Sequence, residues 1–312
     1  MRLLIAGATS TFGKPLAEVL AQAGHELFGL TRSPANASAL ERCGVAPVVA
    51  DVFDRERLTA TLLKVGPEAV VSLLITLPKN GPLRPSHVHP NLRLWGKGVP
   101  NLIHASREAG VRRFVAESFV FAYGYDQYGP EPLSERDEPV RGAVIDGQGE
   151  IIVGLREMER AVIGAEGLEG IVLRYGGRHG VDVPMRRAMA RALHFRLPVL
   201  PGGGHALLPF IEQEDSARAV DAALLRGSGG EIYNIVDDAA VEMREYALAL
   251  SFAIGAGRPR SIPLGLVKLA APYLACVLDH TRLPVSNQKA KQELGWTPRF
   301  RTIHEAFAAG VG

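Results

Sequence analysis

Seven residues near the start of the chain, Gly7-Ala8-Thr9-Ser10-Thr11-Phe12-Gly13, stand between an apolar run and a helical pattern. Such a turn aims the backbone amides of a helix N-terminus at whatever anion sits there, and a dinucleotide pyrophosphate fits that description. Gly7 permits the tight turn and Gly13 the close approach of strand to helix, while Ser10 occupies a place where glycine is usual. Gly7, Thr9, Ser10, Thr11, Phe12 and Gly13 are therefore the candidate residues for that contact. The end of the second apolar run, Leu30-Thr31-Arg32-Ser33, distinguishes between dinucleotides. An acidic residue there would hold ribose hydroxyls. Thr31, Arg32 and Ser33 instead offer a guanidinium and two hydroxyls to a 2′-phosphate, which favours NADP(H). The plain alternative is that Arg32 is a solvated surface charge. Asp51-Val52, closing the third run, is placed to meet an adenine edge, or Asp51 simply belongs to the cap region of a helix beginning near Asp54.

Other chemistries find less support. Ser86-His87-Val88-His89 puts two histidines on one side of an extended segment, but no third ligand group accompanies them, so no metal is expected. No Ser/His/Asp set belongs to a nucleophile elbow, and there is no Walker loop. Arg186-Arg187 with Arg191 reads as a solvated helix face. With 35 Lys+Arg against 33 Asp+Glu and no run of like charge, nucleic acid is not an expected partner. Two cysteines far apart, Cys43 and Cys276, argue against a disulfide framework or a structural zinc and for a reducing, cytoplasmic setting. No signal peptide is expected, because Met1-Arg2 runs straight into the first apolar run. The most apolar later stretch, Ile262 to Leu278, is broken by Pro263, Lys268 and Pro272 and is too short for a membrane span. It reads as a core helix or as the cover of a large flat ligand.

The elements that position these residues alternate. Strand-like runs near Leu3–Ala6, Glu26–Leu30, Pro47–Ala50, Ala69–Leu73, Arg113–Glu117 and Ile171–Arg174 are separated by helical patterns over 12–23, 36–43, 55–65 and 98–109. That alternation is the mark of βαβ units and an α/β fold with a parallel sheet, and 312 residues at 47% hydrophobic content suffice for a full core. Two connections, 77–90 and 123–149, are long and rich in Pro, Gly or charge, as site-lining loops are. After Gly176 the pattern loosens into helices over 212–225 and 242–253, a strand over 231–236 and short terminal helices near Asn287 and Thr302. We divide the chain into 1–176, a dinucleotide-binding domain, and 177–312, a smaller mixed substrate lobe, with crossings between them expected.

The ordered set of Gly7 to Gly13, Ala50-Asp51-Val52, Asn101 to Ala105 with Gly110 to Val115, Val172-Leu173-Arg174-Tyr175, Pro209-Phe210-Ile211 with Glu214 to Ala219, Ile232 to Ile235 and Leu294-Gly295-Trp296 resembles the extended short-chain dehydrogenase/reductases, epimerase/dehydratase-like branch, over almost the full length. The resemblance implies a Rossmann-type doubly wound sheet that binds NAD(P), with Tyr175 and Gly176 beside the nicotinamide. It also implies a helix bearing Tyr-x-x-x-Lys, followed four residues later by Glu. Here Glu159 matches that Glu, which puts Leu155 at the lysine and Ile151 at the tyrosine. The family's Ser/Thr has Ser118 as its hydroxylic candidate, and the family's Asn maps near Trp95, with Asn91 about a turn away.

A reductase without its acid must replace an assistance worth ~10²–10⁴-fold. Ser118 is the candidate catalytic residue; Tyr123 or Tyr125 from the adjacent loop, and His87 or His89 from the proline-rich loop, are further donors. A substrate phenol next to the ketone would serve as well, through proximity. The expectation is an NADPH-dependent ketoreductase acting on a hydrophobic small molecule, an aromatic polyketide. A non-catalytic NADP(H)-binding sensor is the alternative, and an epimerase or dehydratase would need the absent base.

Overall fold

The computed structural model describes residues 1–312 apart from 79–80, 140–148, 280 and 312. Parts of both long loops thus lie outside the described residues. Strands β1 (Arg2–Ala6), β2 (Glu26–Thr31), β3 (Ala46–Val49), β4 (Ala69–Ser72), β5 (Arg113–Phe119) and β6 (Glu169–Tyr175) fall where the apolar runs predict them. After them come β7 (Gly177–His179), β8 (Pro198–Pro201), β9 (Leu207–Leu208), β10 (Phe210–Glu212), β11 (Glu231–Ile235), β12 (Val241–Glu242) and β13 (Arg260–Ile262). The helices of the first half are α1 (Gly13–Gln22), α2 (Ala37–Glu41), α3 (Arg55–Val65), α4 (Pro90–Arg93), α5 (Val99–Glu108) and α6 (Gly149–Ile163). The second half carries α7 (Pro184–His194), α8 (Gln213–Arg226), α9 (Met243–Ala253), α10 (Leu264–Ala270), α11 (Pro272–Asp279), α12 (Gln288–Leu294) and α13 (Ile303–Ala308).

A seven-stranded sheet, β11-β6-β5-β4-β1-β2-β3, is parallel throughout, the Rossmann-type architecture expected. Successive residues face opposite sides of a strand, and both sides here are packed by helices, so the strands read as unbroken apolar runs. Leu4, Ala6, Val70, Phe114 and Val172 join a core with α3, α5 and α6; Leu3, Ile5, Val71, Val115 and Ile171 join the opposite one with α1 and α8. From β1 the chain winds outward through β2 to β3, then returns to β4 on the other flank of β1. The crevice at that reversal, above the carboxyl ends of β1 and β4, is where such sheets take ligands.

The linear split at 176 is crossed. Strand β11 extends the sheet beside β6, α8 packs on α1, and Trp296 donates its indole N–H to the Asp215 carbonyl, 3.1 Å. What remains as a separate lobe is α7, α9, α10 and α11 with three two-stranded pairings, β10–β7, β12–β9 and β13–β8. The apolar stretch 262–278 resolves into α10 and α11. No helix among the described residues is long and apolar enough to cross a membrane.

Candidate functional site

The first half of the site is backbone. Gly7 leaves β1 at φ +93°, and a Cβ there would lie 2.5 Å from the Leu73 carbonyl oxygen beyond β4. At Gly13 a Cβ would fall 2.1 Å from the Ala8 carbonyl oxygen, so only glycine lets α1 begin this close to the turn. Ser10 closes the turn: its amide donates to the Gly7 carbonyl, 2.9 Å, and its Oγ accepts from the Gly13 amide, 3.0 Å. The serine at the usual glycine position therefore stiffens the loop through its side chain. Helix α1 has no acidic residue in its first turn and no side-chain cap at Phe12. Among the described residues no backbone carbonyl meets the amides of Thr11 and Phe12. A helix start bare of anions and caps fits a pyrophosphate.

Beside that turn, β2 and β3 end. Thr31 is buried, its Oγ1 accepting from the Ser33 amide, 3.3 Å, and Ser33 Oγ accepts from the Ala35 amide, 3.3 Å. Arg32 is exposed and holds no ion-pair partner among the described residues. One carboxylate oxygen of Asp51 accepts from the Phe53 amide, 3.0 Å, while Val52 is buried and its carbonyl accepts from Asn101, 2.9 Å. Across the crevice Tyr175 is buried, edge-on to Phe12 with centroids 5.8 Å apart. Gly176 packs so tightly that a Cβ would sit 2.7 Å from the Pro209 carbonyl oxygen. The guanidinium of Arg178 lies 4.3 Å from the Phe12 ring centroid and pairs with the buried Glu117 near the end of β5.

The second half is a chamber of about 480 Å³ beneath the lobe. Among the described residues its lining is apolar except for Asn91, Trp95, Tyr125 and Tyr273. Ile151 and Leu155, one helical turn apart on α6, both face it with hydrocarbon. Asn91 is already engaged: its Oδ1 accepts from the Thr76 amide, 2.7 Å, and its Nδ2 donates to the carbonyls of Thr76 and Val88. Trp95, in a π-helical turn at 94–98, has a buried indole N–H with no protein partner among the described residues. Tyr125 and Tyr273 bring their hydroxyl oxygens within 2.5 Å, and burial holds both phenols above their ordinary range.

Four of the donors considered from sequence are elsewhere. Ser118 does not line the chamber; its Oγ donates to Glu159 Oε1 at 2.6 Å. Ser118 shares the α6 side of β5 with Phe114 and Ala116, but Glu159, one helical turn beyond Leu155, takes its hydroxyl, while Phe119 reaches the chamber from the opposite side of the strand. There a fully buried ion pair, Glu159 with Arg174 at 2.6 Å and 2.8 Å, recruits the hydroxyl as a third donor. Tyr123 is also outside the chamber, its hydroxyl directed at the Ser134 carbonyl, 2.9 Å, and Asn234 Oδ1, 3.0 Å, and burial pushes its phenol up to about 12. His87 and His89 do not reach it either; Val88 between them does. The described residues contain no group of three or more His, Cys, Asp or Glu able to hold a metal ion. Phe119 and Tyr273 are the site residues that the sequence reading does not name, whereas Trp95 stands where the family's Asn maps. Phe119 is the last residue of β5, and the carboxyl end of a strand beside the crevice is the signal that could have found it.

Residues 3–236 match the NAD dependent epimerase/dehydratase family, and the chain belongs to it. A curated relative from a Streptomyces species, 3-diazoavenalumate denitrifying reductase, is 32% identical across 100% of this chain and 99% of its own. Among solved structures, UDP-glucose 4-epimerase of Thermus thermophilus in complex with NAD superposes with TM-score 0.75 at 21% identity, covering 100% of both chains. MoeE5 in complex with UDP-glucose and NAD does so with TM-score 0.76 at 23% identity, covering 99% of this chain and 96% of its own. The fold is that of the family, and a full-length relative is a reductase.

Proposed function

We propose that this chain is an NADPH-dependent ketoreductase that reduces a carbonyl of an aromatic polyketide of the angucyclinone kind, in antibiotic biosynthesis, taking the proton from a phenol next to that carbonyl. One observation carries the reading: Ile151 and Leu155, at the places where the family resemblance puts a tyrosine hydroxyl and a lysine ammonium, line the chamber with hydrocarbon, and Phe119 adds to it. Such walls cannot hold a sugar nucleotide or abstract its protons, but they suit a flat hydrophobic substrate. The dinucleotide supplies a hydride to the carbonyl carbon when bound. The amides of Thr11 and Phe12 would hold its pyrophosphate, Arg32 would meet a 2′-phosphate, and Tyr175 and Gly176 would border the nicotinamide end. As the carbonyl π pair moves to oxygen, that oxygen takes the phenol's proton, and the phenolate regains one from water after release. The protein's share is to orient and to exclude water, since proximity between phenol and ketone can contribute several kcal/mol on its own, up to about 7–11.

The test uses NADPH deuterated at the transferring position, with paired polycyclic ketones that have or lack the neighbouring phenol. Deuterium at the carbinol carbon only when the phenol is present is the expected result. Transfer to both would replace the substrate's acid by a protein one. Tight NADPH binding with transfer to neither would move the reading to a non-catalytic NADP(H) sensor.

The full-length relative favours a second reading, because its name describes loss of nitrogen from a diazo compound. Hydride added to an aromatic diazonium carbon expels N2, which leaves with the C–N bonding pair, and no general acid is needed. Evolution of N2 from a diazophenol with NADPH consumption, and no turnover of any ketone, would establish this reading over the first.

A further inference from the structure

The chamber has a polar point that the missing Tyr and Lys do not explain. Tyr125 follows β5 and Tyr273 lies near the start of α11, 148 positions later; their rings meet edge-on, centroids 5.9 Å apart, and their hydroxyl oxygens are 2.5 Å apart. Phe121 lies against the Tyr125 ring at 5.1 Å, so the phenol is held from both sides. Two phenols carry two O–H protons, and a bond between their oxygens uses one. Beyond that bond the pair has one further donor proton to offer, at the wall of a space whose other polar lining among the described residues is Asn91 and Trp95. A buried donor left without an acceptor is unfavourable, and the other polar wall group with spare capacity is the Trp95 indole. Burial, with the neighbouring Cys276 thiol adding to it, keeps both phenols protonated, so the surplus donor persists across the working pH range.

We propose that the Tyr125–Tyr273 hydroxyl pair grips an acceptor oxygen of the ligand, making the chamber specific for flat aromatic molecules that carry a carbonyl or quinone oxygen at one edge. This deepens the functional reading above and rests on its assignment of the chamber as the substrate site. It adds a specificity determinant from a segment, α11, that covers the chamber and is tied to the opposite loop by the bond from the Tyr273 amide to the Leu83 carbonyl, 3.0 Å. An acceptor oxygen completes the donor count; a hydrocarbon edge leaves it open.

The experiment is equilibrium binding of two matched probes, 9-fluorenone and fluorene, which differ by one carbonyl oxygen, to the full chain and to its Tyr125→Phe/Tyr273→Phe double variant. The unaltered chain is expected to prefer fluorenone by roughly five- to tenfold, the scale of one hydrogen bond. Its bound carbonyl stretch should fall in frequency. In the double variant the preference disappears and the stretch returns, while fluorene affinity stays within about twofold. A purely structural clasp would weaken both probes alike, and that result overturns the proposal. So does a fluorenone preference that survives in the double variant, although the chamber would then still be a ligand site. If neither probe binds the unaltered chain, the chamber assignment fails and this inference with it.

Discussion

The two halves of the site are built from different materials. The dinucleotide crevice is backbone, turns and one helix end supplied by residues close in sequence, whereas the chamber is side chains brought together from β5, α6, two loops and the covering helices. A backbone device tolerates few changes, because its atoms have nowhere to move. A chamber of hydrocarbon walls can exchange its chemistry residue by residue while the sheet beneath it stays intact. That difference is visible in a chain that keeps its family's sheet while Ile151, Leu155 and Phe119 line its chamber.

The contrast is most directly broken at Gly13. Gly13→Val would push side-chain atoms into the Ala8 carbonyl, where even a Cβ comes to 2.1 Å. Dinucleotide affinity, followed by NADPH fluorescence, should drop by more than about a hundredfold, a loss of roughly 3 kcal/mol, by the mechanism of backbone overpacking. A variant that binds normally would show that the turn is not the pyrophosphate site. Next in size is Glu159→Ala, which strands the Arg174 guanidinium in a fully buried place. Stability measured by urea unfolding should fall by about 3–5 kcal/mol. Loss of activity without that fall would instead give the ion pair a chemical role in the chamber.

The third test lies between the halves. His179, on β7, is packed among Phe210, Tyr246 and Phe307, and burial, reinforced by the Arg186 charge, lowers its pKa from 6.5 to about 4. The unfolded chain therefore binds a proton at this residue that the folded chain refuses. Stability from this group is complete above pH 6.5 and is lost as the pH falls from there toward 4, by an amount on the order of 3 kcal/mol. His179→Phe should flatten that part of the stability profile. An unchanged slope would place the acid sensitivity in other groups.

The smallest expected effect sharpens the comparison most. Ser118→Ala removes one donor from Glu159 and should lower stability by about 1 kcal/mol. Turnover in the ketone assay should stay within about threefold, since general acid assistance is worth ~10²–10⁴-fold and this hydroxyl faces away from the chamber. A hundredfold slower variant would return Ser118 to the reaction.

How much was legible follows the same division. Strand–turn–helix periodicity marks β1 through β6 and the Gly7–Gly13 turn directly, because those signals are local and both faces of a parallel sheet are packed. The sequence shows a hydroxyl at Ser118 but not that a further turn of α6 sets Glu159 against it. The stretch 262–278 was readable as apolar but not as two helices roofing a chamber. Nothing near Tyr125 in sequence announces Tyr273.

By itself, then, the sequence determined the sheet, the Gly7–Gly13 turn, the basic residue just beyond β2 and the apolar residues at 151 and 155, all properties of neighbouring residues and their period. Only the tertiary structure decided that Ser118 serves the buried Glu159–Arg174 pair, that Phe119 lines the chamber and that two distant phenols meet there. Those outcomes depend on which segments touch after the lobe folds over the sheet, and contact between residues 148 positions apart leaves no periodic trace in the chain.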